Sequence, residues 1–488
     1  MACTAGKCQK LRAVHRETHR CSGQSHLNGA RQGGSDLENV GFFDTHCHLC
    51  DERYNDDLER VLSNADKFNV TRIMVPGISP ESSRKAAELS GNYQGIFAAA
   101  GIHPNEADLD SADMFTDIAR TVLCPGVLAV GETGLDFFHE RVSPSLQVEL
   151  FEKHIHLAGI FGLTLIVHSR DAEETVLTIL GENPGVPVIM HCYTGPDKIA
   201  QEAADRGFFI GFAGPLTYRR NDRLRKLAGL LPKEQVLVET DAPYLTPEPV
   251  RGERNEPCFV IHTAGVLADL WNMDMLSTSK ILLDNSLRAF QLSPVPRTDL
   301  VYMLYNRIYM NITGRCTNHC RFCVRDRTDG IGGYYLKHHE EPCEKRLMGI
   351  IGTLQPEWAE EIVFCGYGEP TMRPELLLAL AETASEKGFS VRLNTNGLCL
   401  ERLSTEETLR LLEPFNDVSV SLNASDMEEY NAVCIPENDS AWDNLQEFIQ
   451  LSREICRTRL TAVRYSGADM KSVAAYALKI NLPLRIRG

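Results

Sequence analysis

Long apolar runs are missing from this chain of 488 residues, and no uninterrupted stretch would cross a bilayer as a helix. An excess of positive charge is missing too: the formal net charge is −16, which argues against broad binding to duplex nucleic acid. A nucleotide or strand end held by a metal centre is still allowed, because there the ions supply the positive charge. No paired disulfide framework is visible. The sixteen cysteines are scattered, unlike those of a small secreted domain. The first forty residues lack the apolar core of a secretory signal, so a reducing cytoplasm is expected, with thiols free for metal chemistry.

What is present points to several domains. The chain is too long for one typical core, and its apolar content of 43% is ordinary for a globular protein. Residues 1–41, with Lys7, Lys10, Arg12, Arg16 and Arg20, read as a basic, weakly structured extension or an overextended translation start. Cys3, Cys8, Cys21, His15 and His19 lie there at spacings that match no metal-binding finger.

From residue 42 a short apolar strand, a polar loop and an amphipathic helix repeat. Eight strands are expected: Phe42–His46, Arg72–Gly77, Ile96–Gly101, Val127–Glu132, Thr164–His168, Val188–His191, Phe208–Phe212 and Val236–Glu239. Helical stretches such as Ser145–Phe161 and Asp197–Arg206 separate them. Eight βα repeats in about 250 residues predict a closed (β/α)8 TIM barrel. The rival doubly wound sheet would carry a glycine-rich first turn, which is absent.

In such a barrel the chemistry sits at the C-terminal strand ends. Strand 1 leads into His46-Cys47-His48, whose two imidazoles point the same way by strand alternation. Strand 4 ends in Gly131-Glu132-Thr133-Gly134-Leu135-Asp136, strand 5 in His168-Ser169-Arg170, strand 6 in His191-Cys192-Tyr193 and strand 8 in Glu239-Thr240-Asp241-Ala242-Pro243. Any one of these is an ordinary buried polar residue. Four histidines, a glutamate and an aspartate at one topological level predict a metal site.

These motifs, with Arg251-Gly252-Glu253-Arg254-Asn255-Glu256-Pro257 and Asn285-Ser286-Leu287-Arg288-Ala289-Phe290, resemble the TatD family of metal-dependent hydrolases in the amidohydrolase superfamily, over residues 42–292. The resemblance implies two divalent ions, zinc, manganese or magnesium. His46, His48 and Asp241 would hold one, His168 and His191 the other, and Glu132 would bridge them. It also implies phosphodiester hydrolysis of the kind performed by deoxyribonucleases, on DNA or a nucleotide, with Asp241 and Glu132 as catalytic groups and Arg170 and His103 as candidates for holding a phosphate. Hydrolysis of another ester or an amide is the competing reading.

Residues 293–302, opening Ser293-Pro294-Val295-Pro296, read as a stiff link. The remainder, 303–488, has its own motif after a strand at Arg307–Ile312: Cys316, Cys320 and Cys323, with three and then two residues between them. Three cysteines so spaced do not fit a four-ligand zinc site; they fit a [4Fe–4S] cluster with one iron left open. Further strands lead into Gly366-Tyr367-Gly368-Glu369, Asn394-Thr395-Asn396 and Ser421-Leu422-Asn423, and two more close the chain, making six. Cys343, Cys365, Cys399, Cys434 and Cys456 show no paired spacing and predict no second cluster.

This half resembles the radical S-adenosylmethionine superfamily, whose core is a (β/α)6 partial barrel, and the pairing resembles the TatD-associated radical S-adenosylmethionine proteins. The resemblance implies S-adenosylmethionine on the cluster, with Gly366, Tyr367, Gly368 and Glu369 at its methionyl amine, Phe322 near the adenine, and Asn394, Asn396, Ser421 or Asn423 near the ribose. An electron donor such as flavodoxin or ferredoxin and a 5′-deoxyadenosyl radical are then expected. Two other readings make this half a redox-sensing or binding module, or an activase that installs a radical on a partner protein.

Overall fold

The computed structural model describes residues 41–107, 111–139, 141–181, 185–465 and 468–487, with only the backbone of 111–113. The expected basic extension therefore lies outside the described residues, apart from Gly41. The first sheet has eight parallel strands in sequential order: β1 (Phe42–Asp44), β2 (Val70–Pro76), β3 (Ile96–Ala100), β4 (Val127–Asp136), β5 (Thr164–Arg170), β6 (Val188–Met190), β7 (Phe209–Phe212) and β8 (Val236–Val238). Strand β8 returns to β1 through Thr45 N–H to the Val238 carbonyl (3.2 Å), Asp241 N–H to His46 (2.9 Å) and His48 N–H to Ala242 (2.7 Å). Backbone bonds thus complete a TIM barrel at the level of the predicted site.

One side chain from each strand fills the lumen: Phe43, Met74, Ala99, Ala129, Ile166, Ile189, Phe209 and Leu237, with Phe290 from the segment after the last helix. The alanines leave room for the rings of Phe43 and Phe290, whose centroids are 5.2 Å apart. A layer of this kind makes the barrel a packed core rather than a pore. Side chains alternate along a strand, so two residues beyond Ile166, Ile189 and Leu237 the chain again faces the lumen, at His168, His191 and Glu239. The floor of the barrel thus aims the residues at its mouth.

The second sheet has seven strands: β9 (Val301–Leu304), β10 (Arg307–Met310), β13 (Ile362–Phe364), β14 (Val391–Thr395), β15 (Asp417–Ser421), β16 (Arg457–Val463) and β17 (Leu484–Arg487). A separate two-stranded ribbon, β11 (Gly330–Ile331) and β12 (Tyr334–Tyr335), follows the cysteine loop. From β10 to β17 the main sheet is parallel, giving the six strands of the expected partial barrel. Strand β9 adds an antiparallel edge that the sequence reading did not include, and it begins inside the segment read as a link. Its turn, Tyr305-Asn306, has φ of 50° and 60°, as in a two-residue hairpin.

The two barrels share one continuous apolar core, and polar bonds cross between them. The Tyr334 hydroxyl donates to the Leu123 carbonyl at 2.8 Å, and Gln291 donates to Gly162 at 2.9 Å. Among the described residues no helix is long and apolar enough to cross a membrane.

Candidate active sites

Glu132 is the hub of the first site. Sequence alternation put it at a strand end; the structure puts it inside β4, where the register shifts between Val130 and Thr133. Gly131 has φ of +143°, and a Cβ there would meet the Ile166 carbonyl oxygen at 2.6 Å, so only glycine allows this local path. The path turns the Glu132 carboxylate into the mouth, where it is 3% exposed.

Five imidazoles surround that carboxylate. Glu132 Oε2 lies 3.2 Å from His46 Nε2 and 3.7 Å from His48 Nε2. Glu132 Oε1 lies 2.8 Å from His191 Nε2, 3.0 Å from His168 Nδ1 and 3.6 Å from His103 Nε2. Asp241 Oδ1 sits 3.2 Å from His48 Nε2 and 3.9 Å from His46 Nε2. All six residues expected as metal ligands thus meet in one place. His103 joins them, edge-on to His168 at 4.4 Å between ring centroids. Arg170 stands further out, its guanidinium 4.1 Å above the Phe138 ring.

The protonation equilibria follow from this crowding. Burial alone would raise the Glu132 carboxyl, but His191, His46 and His103 together hold it well below the usual range. Burial also opposes charge on His48, and contact with Asp241 overcomes it and lifts the imidazole. His46 is lowered by burial and by neighbouring His191, and burial brings His103 down to about 3. Burial works to raise Asp241 as well, yet the His48 contact keeps it low.

Two carboxylates that the sequence reading quoted in motifs, but gave no role, support the site from behind. Glu239 is fully buried; its Oε1 lies 3.4 Å from His191 Nδ1 and accepts the Cys192 N–H, and its Oε2 accepts from Thr45 Oγ1. Asp136 Oδ2 lies 3.3 Å from His168 Nε2 and accepts from Asn105 at 2.8 Å, while Oδ1 takes the N–H groups of Phe138 and His139. The available signal was strand alternation, which puts Glu239 on the same face as Leu237. The mouth above opens into a cavity of about 1,780 Å3 whose walls carry Arg141, Arg170, Lys198 and Arg223 together with the carboxylates Asp51, Glu106, Asp171, Glu173, Glu174 and Asp197.

The second site is built on the loop after β10. Cys316, Cys320 and Cys323 are each partly buried on it. Asn396 donates to Thr317 Oγ1 at 2.8 Å and approaches Cys316 Sγ at 3.9 Å, tying the loop to the end of β14. The Gly366–Glu369 turn packs directly on this loop. Tyr367 N–H donates to Asn311 Oδ1 at 3.1 Å, and a Cβ on Gly366 or Gly368 would collide with Asn311 or with the Thr313 and Arg315 carbonyls. The Glu369 side chain turns inward, accepting from Thr395 Oγ1, Asn396 N–H and Thr371 at 2.7 to 3.2 Å. The Tyr367 ring is buried beside Tyr302, Tyr334 and Leu336.

The other expected cofactor residues lie on the cysteine loop and at the ends of β14 and β15. Phe322 lies 6.0 Å from the Tyr465 ring, between centroids. Ser421 ends β15 opposite Thr461, and Asn423 accepts the Val463 N–H at 3.0 Å. Asn394 lines a cavity together with Ser419 and Thr461, the strand partner of Ser421. Cys434 is an unforeseen neighbour. Its carbonyl accepts the His319 N–H at 3.1 Å, and its buried thiol contacts that of Cys320, which lowers Cys320 and raises Cys434.

Comparison with known proteins separates the two halves in the same way. A family model described as TatD related DNase matches residues 43–291, and one described as Radical SAM superfamily matches residues 310–468. The chain is 37% identical over 254 residues to the uncharacterized metal-dependent hydrolase YabD of Bacillus subtilis (strain 168), covering 51% of this chain and 99% of that protein. It is 32% identical over 260 residues to the 3′-5′ ssDNA/RNA exonuclease TatD of Musicola paradisiaca (strain Ech703), covering 51% of this chain and 98% of the relative. Among solved structures, YJJV, a TatD homolog from Escherichia coli K12, aligns at 29% identity and a TM-score of 0.48, over 51% of this chain and 97% of that one.

Proposed function

Since the chain belongs to the TatD related DNase family and carries a radical SAM domain after it, we propose that it is a bifunctional enzyme. The first barrel would hydrolyse phosphodiester bonds, at the ends of DNA strands or in nucleotides. The second would generate a 5′-deoxyadenosyl radical.

The observation that carries the first half is Glu132, whose two oxygens lie within 3.7 Å of five histidines. His46 Nε2 and His48 Nε2 are also only 3.3 Å apart, with Asp241 alongside. Nitrogen and carboxylate donors that converge so closely under burial fit divalent cations, because a cation removes the repulsion among their lone pairs. His46, His48 and Asp241 would hold one ion, His168 and His191 a second, with Glu132 shared. Ions bound there supply the charge that acidifies a water and draws the oxygens of a phosphodiester. Asp241, whose carboxyl stays ionised, takes the proton from that water. Arg170 and the other wall cations orient the phosphate chain, and Glu239 and Asp136 keep His191 and His168 turned toward the site. The 3′-5′ exonuclease activity in the name of the Musicola relative supports a strand end as substrate.

For the second half, Cys316, Cys320 and Cys323 would hold a [4Fe–4S] cluster. The support lies in the glycines of the Gly366–Glu369 turn, which bring backbone against the cysteine loop where a side chain would not fit. A cluster held there would supply, given an electron donor such as flavodoxin or ferredoxin, an electron for the reductive cleavage of S-adenosylmethionine. Glu369 and Asn396 hold the two loops in register.

Two assays test these readings. Asp241→Asn should abolish divalent-metal-dependent hydrolysis of a model phosphodiester and of a single-stranded oligonucleotide, with the far-UV spectrum unchanged. Anaerobically loaded and reduced protein should release 5′-deoxyadenosine. Full turnover in the first variant, or no cleavage in the second assay, would refute the corresponding half.

A further inference from the structure

The chain as a whole is acidic, yet the open side of its second barrel gathers five arginines. Arg307 on β10, Arg392 on β14, Arg459 on β16, and Arg485 and Arg487 on β17 line one cavity of about 260 Å3. Two largely buried carboxylates answer them. Glu361 lies between Arg307 (2.6 Å) and Arg392 (3.1 Å), and Asp417 is shared between Arg459 and the outward-facing Arg457. Arg485 and Arg487 have no ion pair among the described residues. Arg392 is 92% buried by its 8% exposure, and its Nε has no hydrogen-bond partner there. A buried guanidinium donor left unmet is costly, and a ligand that accepts it recovers that cost.

Charge on an edge strand commonly serves only to discourage pairing with another sheet. That device needs one or two side chains on β17 and gives no reason for arginines on three other strands to face the same space. Guanidinium forks suit an oxyanion carrying more than one negative charge, phosphate above all. A flat group has a place beside the partly exposed Tyr309, which lines the same cavity with its ring stacked on the buried Tyr302, 5.1 Å apart and 16° from parallel. Cys365 lines it too, and the next residue begins the Gly366–Glu369 turn, so the cavity adjoins the proposed cofactor loop.

We propose that this cavity is the substrate subsite of the second barrel and takes a nucleoside monophosphate, with the phosphate among the arginines and the base beside Tyr309. As a substrate subsite it rests on the radical reading of this half. Hydrolysis at strand ends by the first barrel is the class of reaction that supplies such a molecule.

Calorimetric titration of the full chain, loaded with iron and S-adenosylmethionine, with deoxyadenosine monophosphate tests the site. Saturable binding is expected, weakened about tenfold or more in the Arg485→Gln/Arg487→Gln double variant. Both residues are exposed on the last strand, and unchanged phosphodiester hydrolysis by the first barrel checks that the variant is folded. Undiminished affinity in the double variant would put the nucleotide elsewhere, at the first barrel's mouth, and overturn the proposal. So would absence of binding, or inorganic phosphate binding as tightly as the nucleotide. The release of 5′-deoxyadenosine is scored separately in the same samples. Cofactor cleavage without nucleotide binding defeats the subsite alone, and arginine-dependent binding without cleavage defeats the radical reading alone.

Discussion

Arg346, in the second barrel, donates from Nη2 to the carbonyl oxygen of Phe161, in the first, at 2.6 Å. Phe161 is the last residue of the helix Pro144–Phe161, whose final carbonyls have no partner within the helix. Arg346 Nε also reaches the Ile160 carbonyl at 3.1 Å, and a cation at a helix C-terminus is favoured by the peptide dipoles. One barrel therefore caps a helix of the other.

Removing that cap should loosen the whole molecule without touching either mouth. In Arg346→Ala the Ile160 carbonyl loses this partner, while Phe161 keeps Arg297 at 3.1 Å. A loss of about 1–3 kcal/mol is expected for a buried polar group left unsatisfied. Urea unfolding should show it as a lower midpoint, with phosphodiester turnover per folded molecule unchanged. An unchanged midpoint would mean that the junction does not depend on the cap.

Glu239→Gln probes the support of the metal site. The change conserves shape but removes the negative charge 3.4 Å from His191 Nδ1. Loss of such an outer partner commonly costs 10–100-fold in metal affinity or activity, and a loss in roughly that range is expected here. Metal titration against a competing chelator gives the affinity directly. If affinity and turnover both stay at the wild-type level, Glu239 serves only to hold the Cys192 N–H and the Thr45 hydroxyl.

Chelation offers a third check. With the ions withdrawn, His46, His48, His168, His191, Asp241 and Glu132 remain crowded within one pocket. Binding to the folded state alone stabilises it by mass action, so chelator should lower the melting midpoint as well as abolish hydrolysis. Readdition of zinc, manganese or magnesium should restore both, and the ion that restores turnover at the lowest free concentration identifies the preferred metal. A midpoint insensitive to chelator would argue against resident ions.

The βα rhythm and the eight barrel strands were legible because each is a local pattern: an apolar run, a period. What escaped was set by long-range packing. Glu239 lies against His191, 48 positions earlier in the chain, and no local signal pairs them. Glu132 was expected at a strand end but lies within β4, because the shift after Val130 carries the strand onward to Asp136. Strand β9 escaped because Tyr305, with its positive φ, is not a residue that announces a tight hairpin turn. The arginine-lined cavity escaped for the same reason as Glu239, since its walls come from strands up to 180 positions apart.

Cys434 gives the last prediction. Spacing alone selects Cys316, Cys320 and Cys323 as cluster ligands, yet folding brings a fourth thiol against Cys320. Two outcomes separate ligand from neighbour. If the three-cysteine set is right, Cys323→Ser should lose the bound iron and the broad visible absorbance of the reconstituted protein. Cys434→Ser should keep both, because removing a buried thiol that only packs leaves the ligand set intact. The serine hydroxyl still fits the space and can accept from the Asn423 amide, so the variant should fold. Iron retained in Cys323→Ser and lost in Cys434→Ser would reverse the assignment and make Cys316, Cys320 and Cys434 the cluster's anchors.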